Sequence, residues 1–228
     1  MDSKIYIVTP PRKAKYAEAM PIRPKYDDVN IEHCPECGAN LQLSKWIGEK
    51  TIRINKKDIP DFMYIYGGSD NWFVISEKAY HVLMDNQVTG LIGAEKINKI
   101  LYKKEIVEQP LYEVLLERRL YPIDHNRSRI IYGEEHPEKI CRVCNPLGRT
   151  RNVICGLYFK PNIQIDLDIF KIYEMTSSVF ISERFVRIVE DNHLTGLHYE
   201  YIHEYNSARI PLSEEQLLML DMQPTIEG

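Results

Sequence analysis

Four of the five cysteines fall into two C-x-x-C pairs, Cys34-Pro35-Glu36-Cys37 and Cys141-Arg142-Val143-Cys144. Two intervening residues let both sulfurs of a pair face one ion from a tight turn, and Gly38 or Asn145 just beyond suits the left-handed backbone that such a knuckle requires. Two knuckles together supply four thiolates, which close a tetrahedral sphere around a structural Zn2+ and leave no position for a reactive water. More than a hundred residues separate the pairs, against roughly fifteen to twenty in the usual arrangement. Residues 31–44 and 138–150 therefore read as a zinc ribbon with a long insertion. A redox-active pair and an iron–sulfur cluster are the other uses of such cysteines. The redox use wants one C-x-x-C at a helix start after a βαβ strand, and neither pair is so placed. His33 and His136 lie near enough in sequence to compete as ligands, but read as outer or solvated residues. Cys155, inside Val153-Ile154-Cys155-Gly156-Leu157, reads as a buried structural thiol.

The remaining polar residues offer less chemistry. His198 and His203 flank Glu200, yet the metalloprotease pattern needs histidines four apart on a helix, and these are five apart on an expected strand. Asp166 and Asp168 have no third acid in register and read as turn or capping residues. Arg127, Arg129, Arg142, Arg149 and Arg151 surround the second knuckle, interspersed with Glu134, Glu135 and Glu138. That mixture reads as a solvated charged face, with a zinc-ribbon regulator that grips nucleic acid as the alternative. No Gly-rich phosphate loop, nucleophile elbow or Ser/His/Asp set occurs, so no catalytic residue is assigned and a non-enzymatic role is expected.

The elements that must carry the knuckles are organised by an internal match. Residues 61–91 (DFMYIYGGSDNWFVISEKAYHVLMDNQVTGL) and 168–197 (DIFKIYEMTSSVFISERFVRIVEDNHLTGL) agree block by block. Asp61 aligns with Asp168, Ile75-Ser76-Glu77 with Ile181-Ser182-Glu183, Asp85-Asn86 with Asp191-Asn192, and Thr89-Gly90-Leu91 with Thr195-Gly196-Leu197. Agreement of identity, order and spacing indicates a duplication, as a pair rather than a solenoid. Each copy predicts strand, helix, strand. Ser76 or Ser182 supplies the N-cap with Glu77 or Glu183 on the favourable end of the dipole. The buried stripe is Ala79, Val82 and Leu83, or Phe185, Ile188 and Val189. Asn86 or Asn192 ends the helix and Gly90 or Gly196 permits the turn. The second returning strand, alternating from Leu197 to His203, is expected to be the better defined.

Outside the copies, Lys4–Val8 and Lys50–Lys56 read as strands, and residues 11–30 as a coil or partner-facing arm. Pro110 to Leu120, with Leu111, Val114 and Leu115 behind a proline, predicts a helix. Ser213-Glu214-Glu215-Gln216 has capping-box spacing and predicts a short terminal helix through Leu220. The whole, residues 1–228, is expected to be α+β and a single composite domain: two related strand-helix-strand halves joined by the four-cysteine ribbon.

Composition narrows the class. Hydrophobic residues at 44% and charged residues at 27% are those of a folded globular chain rather than a disordered one. A net charge of -4 lacks the basic field of a dedicated nucleic-acid binder. No stretch approaches the roughly 18 apolar residues needed to cross a bilayer, and no signal peptide opens the chain, so a cytoplasmic setting without membrane contact is expected.

The two C-x-x-C pairs, with DIFKIYE, SVFISERF and DNHLTGLHYEYI in the last third, resemble the double-CXXCG motif proteins of bacteria, which include immunity proteins of toxin systems. The segment around Ser182 to Leu197 is also similar to an immunity-protein family of polymorphic toxin loci. In this chain the second pair is followed by Asn145 where the motif has glycine. The resemblance implies Cys34, Cys37, Cys141 and Cys144 as zinc ligands, Ser182 to Leu197 as scaffold, and a cognate protein toxin as the partner that is bound and neutralised. It carries over no toxin-binding residue.

Overall fold

The computed structural model describes residues 4–11, 15–27, 32–41, 45–66, 73–208 and 218. The chain begins with β1 (Ile5–Val8), β2 (Ala19–Pro21), β3 (Lys25–Asp27), β4 (Lys45–Ile47) and β5 (Thr51–Ile54). The first matched segment gives β6 (Phe62–Tyr64), β7 (Phe73–Ser76), α1 (Glu77–Asp85) and β8 (Leu91–Lys96). Then come β9 (Lys99–Tyr102), β10 (Glu105–Ile106), β11 (Leu111–Leu116), β12 (Arg118–Arg119), β13 (Ile130–Glu135) and β14 (Arg149–Ile154). The second matched segment gives β15 (Ile169–Ile172), β16 (Phe180–Ser182) and α2 (Glu183–Asp191), and β17 (Tyr199–Tyr201) follows it. The architecture is α+β, with two helices among many strands in the described residues. The expected terminal helix from Ser213 lies almost wholly outside those residues.

The helices start and stop where their sequences direct. Ser76 Oγ accepts from the Ala79 amide and Ser182 Oγ from the Phe185 amide, so each hydroxyl satisfies one of the donors that a helix start leaves free. At the other end the amide groups of Asn86 and Asn192 bond back to the carbonyls of Val82 and Ile188. Ala79 and Leu83 are buried on α1; Phe185, Val186, Ile188 and Val189 are buried on α2.

Strand order shows how the halves are built. One sheet runs β6-β7-β11-β8 and the other β12-β15-β16-β1-β17. In each, a strand from outside the matched segment is inserted antiparallel between its two partners. β11 fills that slot in the first sheet and β1 in the second, in the same register. Leu111 faces Ser76 as Ile5 faces Ser182, and Tyr112 faces Ile75 as Tyr6 faces Ile181. On the other side, Tyr112 faces Lys96 and Val114 faces Ala94, as Tyr6 faces Tyr201 and Val8 faces Tyr199. Leu-Tyr-Glu-Val at 111–114 is thus the counterpart of Ile-Tyr-Ile-Val at 5–8, a correspondence beyond the reach of the matched blocks.

This overturns the helix expected over Pro110–Leu120. The strand is covered on both faces: Val114 and Tyr112 join the core between the halves, while Leu111 packs into a second cluster with Met63, Val74 and Ile100. A strand buried on both sides loses its two-residue alternation. Glu113 disguises it further, because its buried carboxylate is paired with the buried ammonium of Lys50 and reads as a polar, outward position in sequence. The returning strands also differ from expectation. β8 is the longer, and β17 contracts to Tyr199–Tyr201, leaving His198 and His203 outside it.

One core, with Phe62, Ile75, Leu83 and Val114 from the first half and Ile169, Ile181, Phe185 and Val189 from the second, lies between the sheets. Behind each sheet is a further layer: β5 and β9 behind the first, the β13–β14 hairpin behind the second.

Candidate metal centre

Both knuckles sit at the closed ends of two-stranded hairpins. The first joins β3 to β4, paired Lys25 to Ile47 and Asp27 to Lys45. The second joins β13 to β14. In the first, the Gly38 amide donates to the Cys34 carbonyl and the Cys34 amide to the Ala39 carbonyl, a closure that Gly38 permits at φ +74. The His33 ring contacts the Gly38 carbonyl through Nδ1 at 2.9 Å, which buttresses the turn without placing the ring among the sulfurs. In the second, Cys141 and Asn145 exchange both backbone bonds, each 3.0 Å. Asn145 keeps a negative φ, contrary to expectation; the left-handed residue is Gly148 at φ +59, three positions later. His136 turns to Glu134 and Glu138 instead of the cysteines.

The fold brings all four sulfurs together, each within 4.8 Å of every other. Cys34 Sγ lies 3.6 Å from Cys141 Sγ, and Cys37 Sγ 3.6 Å from Cys144 Sγ. These separations are far longer than the roughly 2.05 Å of a disulfide. They match the edge of about 3.8 Å that a tetrahedron acquires when its corners lie about 2.3 Å from a central ion. A multi-iron cluster fills the volume between its ligands and spreads them wider than a single ion does. Cys34 and Cys141 are buried beside Leu41, with Val143 and Tyr173 packed against them. The donor set is all sulfur, the preference of a soft or borderline cation in tetrahedral geometry. The residues fit one metal ion.

Electrostatics point the same way. Burial raises the Cys34 thiol, but backbone bonds from Cys37 and Glu36, with help from the Cys141 and Cys37 thiols, outweigh it and bring the pKa down to about 7. Burial, followed by the neighbouring thiols, pushes Cys141 and Cys144 upward. One ionised sulfur makes the next ionisation costly, and a divalent cation removes that repulsion.

Two contacts tie the cluster to the second half. Tyr173 directly follows β15, and the buried Arg118 of β12 donates through Nε to Glu32, just before the first knuckle, at 2.9 Å. Neither was legible beforehand, since a lone tyrosine and a lone arginine carry no spacing signal.

The other candidate residues go elsewhere. Asp168 accepts from Ser182 and Thr89, while Asp166 accepts from the Tyr121 hydroxyl. They share no ligand. Cys155 is partly buried against Ile131 and Val153, and burial pushes its thiol up. Two of the arginines go separate ways. Arg151 is turned inward, 2.7 Å from the Glu174 carbonyl and 3.1 Å from its carboxylate, whereas Arg127 lies over the Tyr158 ring. Among the described residues no helix is long and apolar enough to cross a membrane.

Comparison with known proteins adds a single finding. A family model described as Immunity protein family (Imm11) matches residues 51–204, a span that includes Cys141 and Cys144 and begins after Cys34 and Cys37. No curated protein matches the sequence.

Proposed function

The chain belongs to the immunity protein family Imm11, the match covering well over half of its length, and on that premise we propose that it binds and neutralises a cognate bacterial protein toxin in the cytoplasm. The family match carries this reading. Neutralisation is non-enzymatic, by occluding the toxin's active or docking surface. Tight inhibitor interfaces of this kind bury roughly 1,600 Å² around aromatic and arginine anchors.

In this reading Cys34, Cys37, Cys141 and Cys144 hold one structural Zn2+, and residues 31–44 with 138–150 form the ribbon. The all-sulfur donors, the tetrahedral spacing and the likeness to double-CXXCG proteins support the assignment. Zinc holds no reactive water there; it fastens two hairpins that are distant in sequence, onto the side of the second half marked by Tyr173. Residues 1–228 act as one composite domain, with 61–91 and 168–197 its repeat copies.

The test is co-expression with each polypeptide encoded beside this chain. One neighbour should arrest growth alone, lose its toxicity when the chain is present, and co-purify with it. If no neighbour kills, or if killing continues while this chain accumulates in folded form, the immunity reading fails.

A further inference from the structure

Both sheets end in a cleft at the same place. In the first half it is bordered by Lys96, Ile97, Asn98 and Pro110; in the second, by Tyr201, Ile202, His203 and Lys4. The strand registers make these the same positions, Lys96 corresponding to Tyr201 and Pro110 to Lys4. The copies have diverged there. The first cleft holds about 320 Å³ and has Glu108 beside its lysines, with no aromatic ring. The second is about 680 Å³ and carries Lys4, Arg127 and Lys160, with no carboxylate among its described lining residues. In a chain of net charge -4, a lining with three cations and no carboxylate carries the sign opposite to that of the molecule as a whole.

The cations are tied to a column of rings. The Arg127 guanidinium lies 4.7 Å from the Tyr158 ring centre, Tyr158 stacks on His203 at 4.0 Å and 18°, His203 meets Tyr201 at 4.6 Å, and Lys4 Nζ stands 6.0 Å over Tyr201. Burial, reinforced by Arg127 and opposed by Glu204, lowers the His203 pKa, so the ring serves at neutral pH as an uncharged spacer. The column limits what the cleft can take. Tyr158 has a guanidinium on its ring and an imidazole stacked against it, which leaves little of its surface for a nucleobase, whereas the three exposed cations remain available to anions. Flexible carboxylates need no stacking surface, and Arg127 can meet one with two parallel N–H groups.

We infer that this cleft receives an acidic segment of a partner polypeptide, which on the immunity reading above is a carboxylate-bearing stretch of the toxin. The counterpart cleft in the first half takes no part.

The full-length chain is titrated with an oligoglutamate peptide, with an oligothymidylate, and with the toxic neighbour identified by co-expression, each at low and moderate salt. The wild-type chain should bind oligoglutamate in a salt-sensitive manner. The combined variant Lys4→Glu, Arg127→Glu, Lys160→Glu alters exposed side chains and should keep its circular dichroism and melting midpoint. It should lose oligoglutamate binding and bind the toxin roughly 100-fold more weakly. Lys96→Glu with Lys99→Glu should change either affinity less than about threefold, as expected of charges away from the interface. Undiminished toxin binding by the triple variant overturns the cleft assignment and leaves the immunity reading standing. Absence of any toxic neighbour removes the immunity reading, and the cleft is then judged on oligoglutamate alone: binding that the triple variant abolishes sustains it, and no binding ends it. Tighter binding of oligothymidylate than of oligoglutamate transfers the cleft to nucleic acid and overturns the proposal.

Discussion

Asp168 grips Thr89 of the opposite matched segment through one carboxylate oxygen, which accepts from the Thr89 amide at 3.0 Å and from its hydroxyl at 3.1 Å. Asp61 does the same to Thr195, at 2.9 and 3.1 Å. The second oxygen of each aspartate takes the hydroxyl of its own helix cap, Ser182 or Ser76. Each carboxylate therefore couples a helix start in one matched segment to the Thr-Gly turn of the other. The arrangement is reciprocal, so neither clasp can open without exposing the same core.

Asp168→Ala leaves the Thr89 amide and the Ser182 hydroxyl short of an acceptor, next to the Arg184 guanidinium that pairs with the same carboxylate. It should cost about 2 kcal/mol, the middle of the range for an unpaired donor, because Ser182 is buried while Thr89 is exposed. A denaturant titration reads this as a lower midpoint with unchanged slope. A double-mutant cycle of Asp61→Ala with Thr195→Ala, which keeps the amide bond and removes the hydroxyl one, should return a coupling of about 1 kcal/mol; additive effects would show that the hydroxyl limb of the clasp contributes nothing.

Gly90 and Gly196 follow the two threonines at φ +90 and +88. A Cβ on Gly90 would stand 1.8 Å from the Ile169 carbonyl oxygen, and one on Gly196 2.3 Å from that of Phe62. Backbone blocks both sites, so neither can be relieved by a rotamer change. Gly90→Ala and Gly196→Ala should each destabilise by more than about 3 kcal/mol, beyond the range of ordinary surface substitutions. A melting temperature within a degree or two of the parent would contradict the close approach of the two halves.

Elemental analysis of reduced protein should return one zinc per chain. Cys141→Ser should abolish it, and chelation should lower the melting midpoint by about 10 °C or more, given about 2–4 °C per kcal/mol for a chain of this size. Hydrogen exchange should quicken first around both knuckles and at Tyr173, and last in α1. Uniform acceleration across the molecule would mean that the metal does not act locally.

Acid should weaken the fold through two histidines. Burial holds both His198 and His203 below the ordinary histidine value, so the folded chain keeps them neutral while the unfolded chain protonates them more readily. Their contribution to stability is present above the unfolded value and is lost as pH falls below about 6.5 through the lowered folded values. His198→Gln should flatten the pH dependence of the unfolding midpoint in that interval. An unaltered slope would assign the acid sensitivity to other groups.

Several features were written locally and could be read without coordinates. Ser76-Glu77 and Ser182-Glu183 start helices, Asn86 and Asn192 stop them, and the C-x-x-C turns gather sulfurs, because caps and knuckles are made by residues a few positions apart. Other features depend on partners far away in sequence. That 111–116 is a strand follows from β7 and β8 flanking it and from Lys50 neutralising Glu113. That Asp61 meets Thr195 across 134 positions follows from how two sheets pack face to face, and that Lys4, Arg127 and Lys160 share a cleft follows from the layer packed behind the second sheet. Local chemistry is decided within a turn of chain, whereas charge pairing and two-sided burial exist only once strands and layers distant in sequence have packed together.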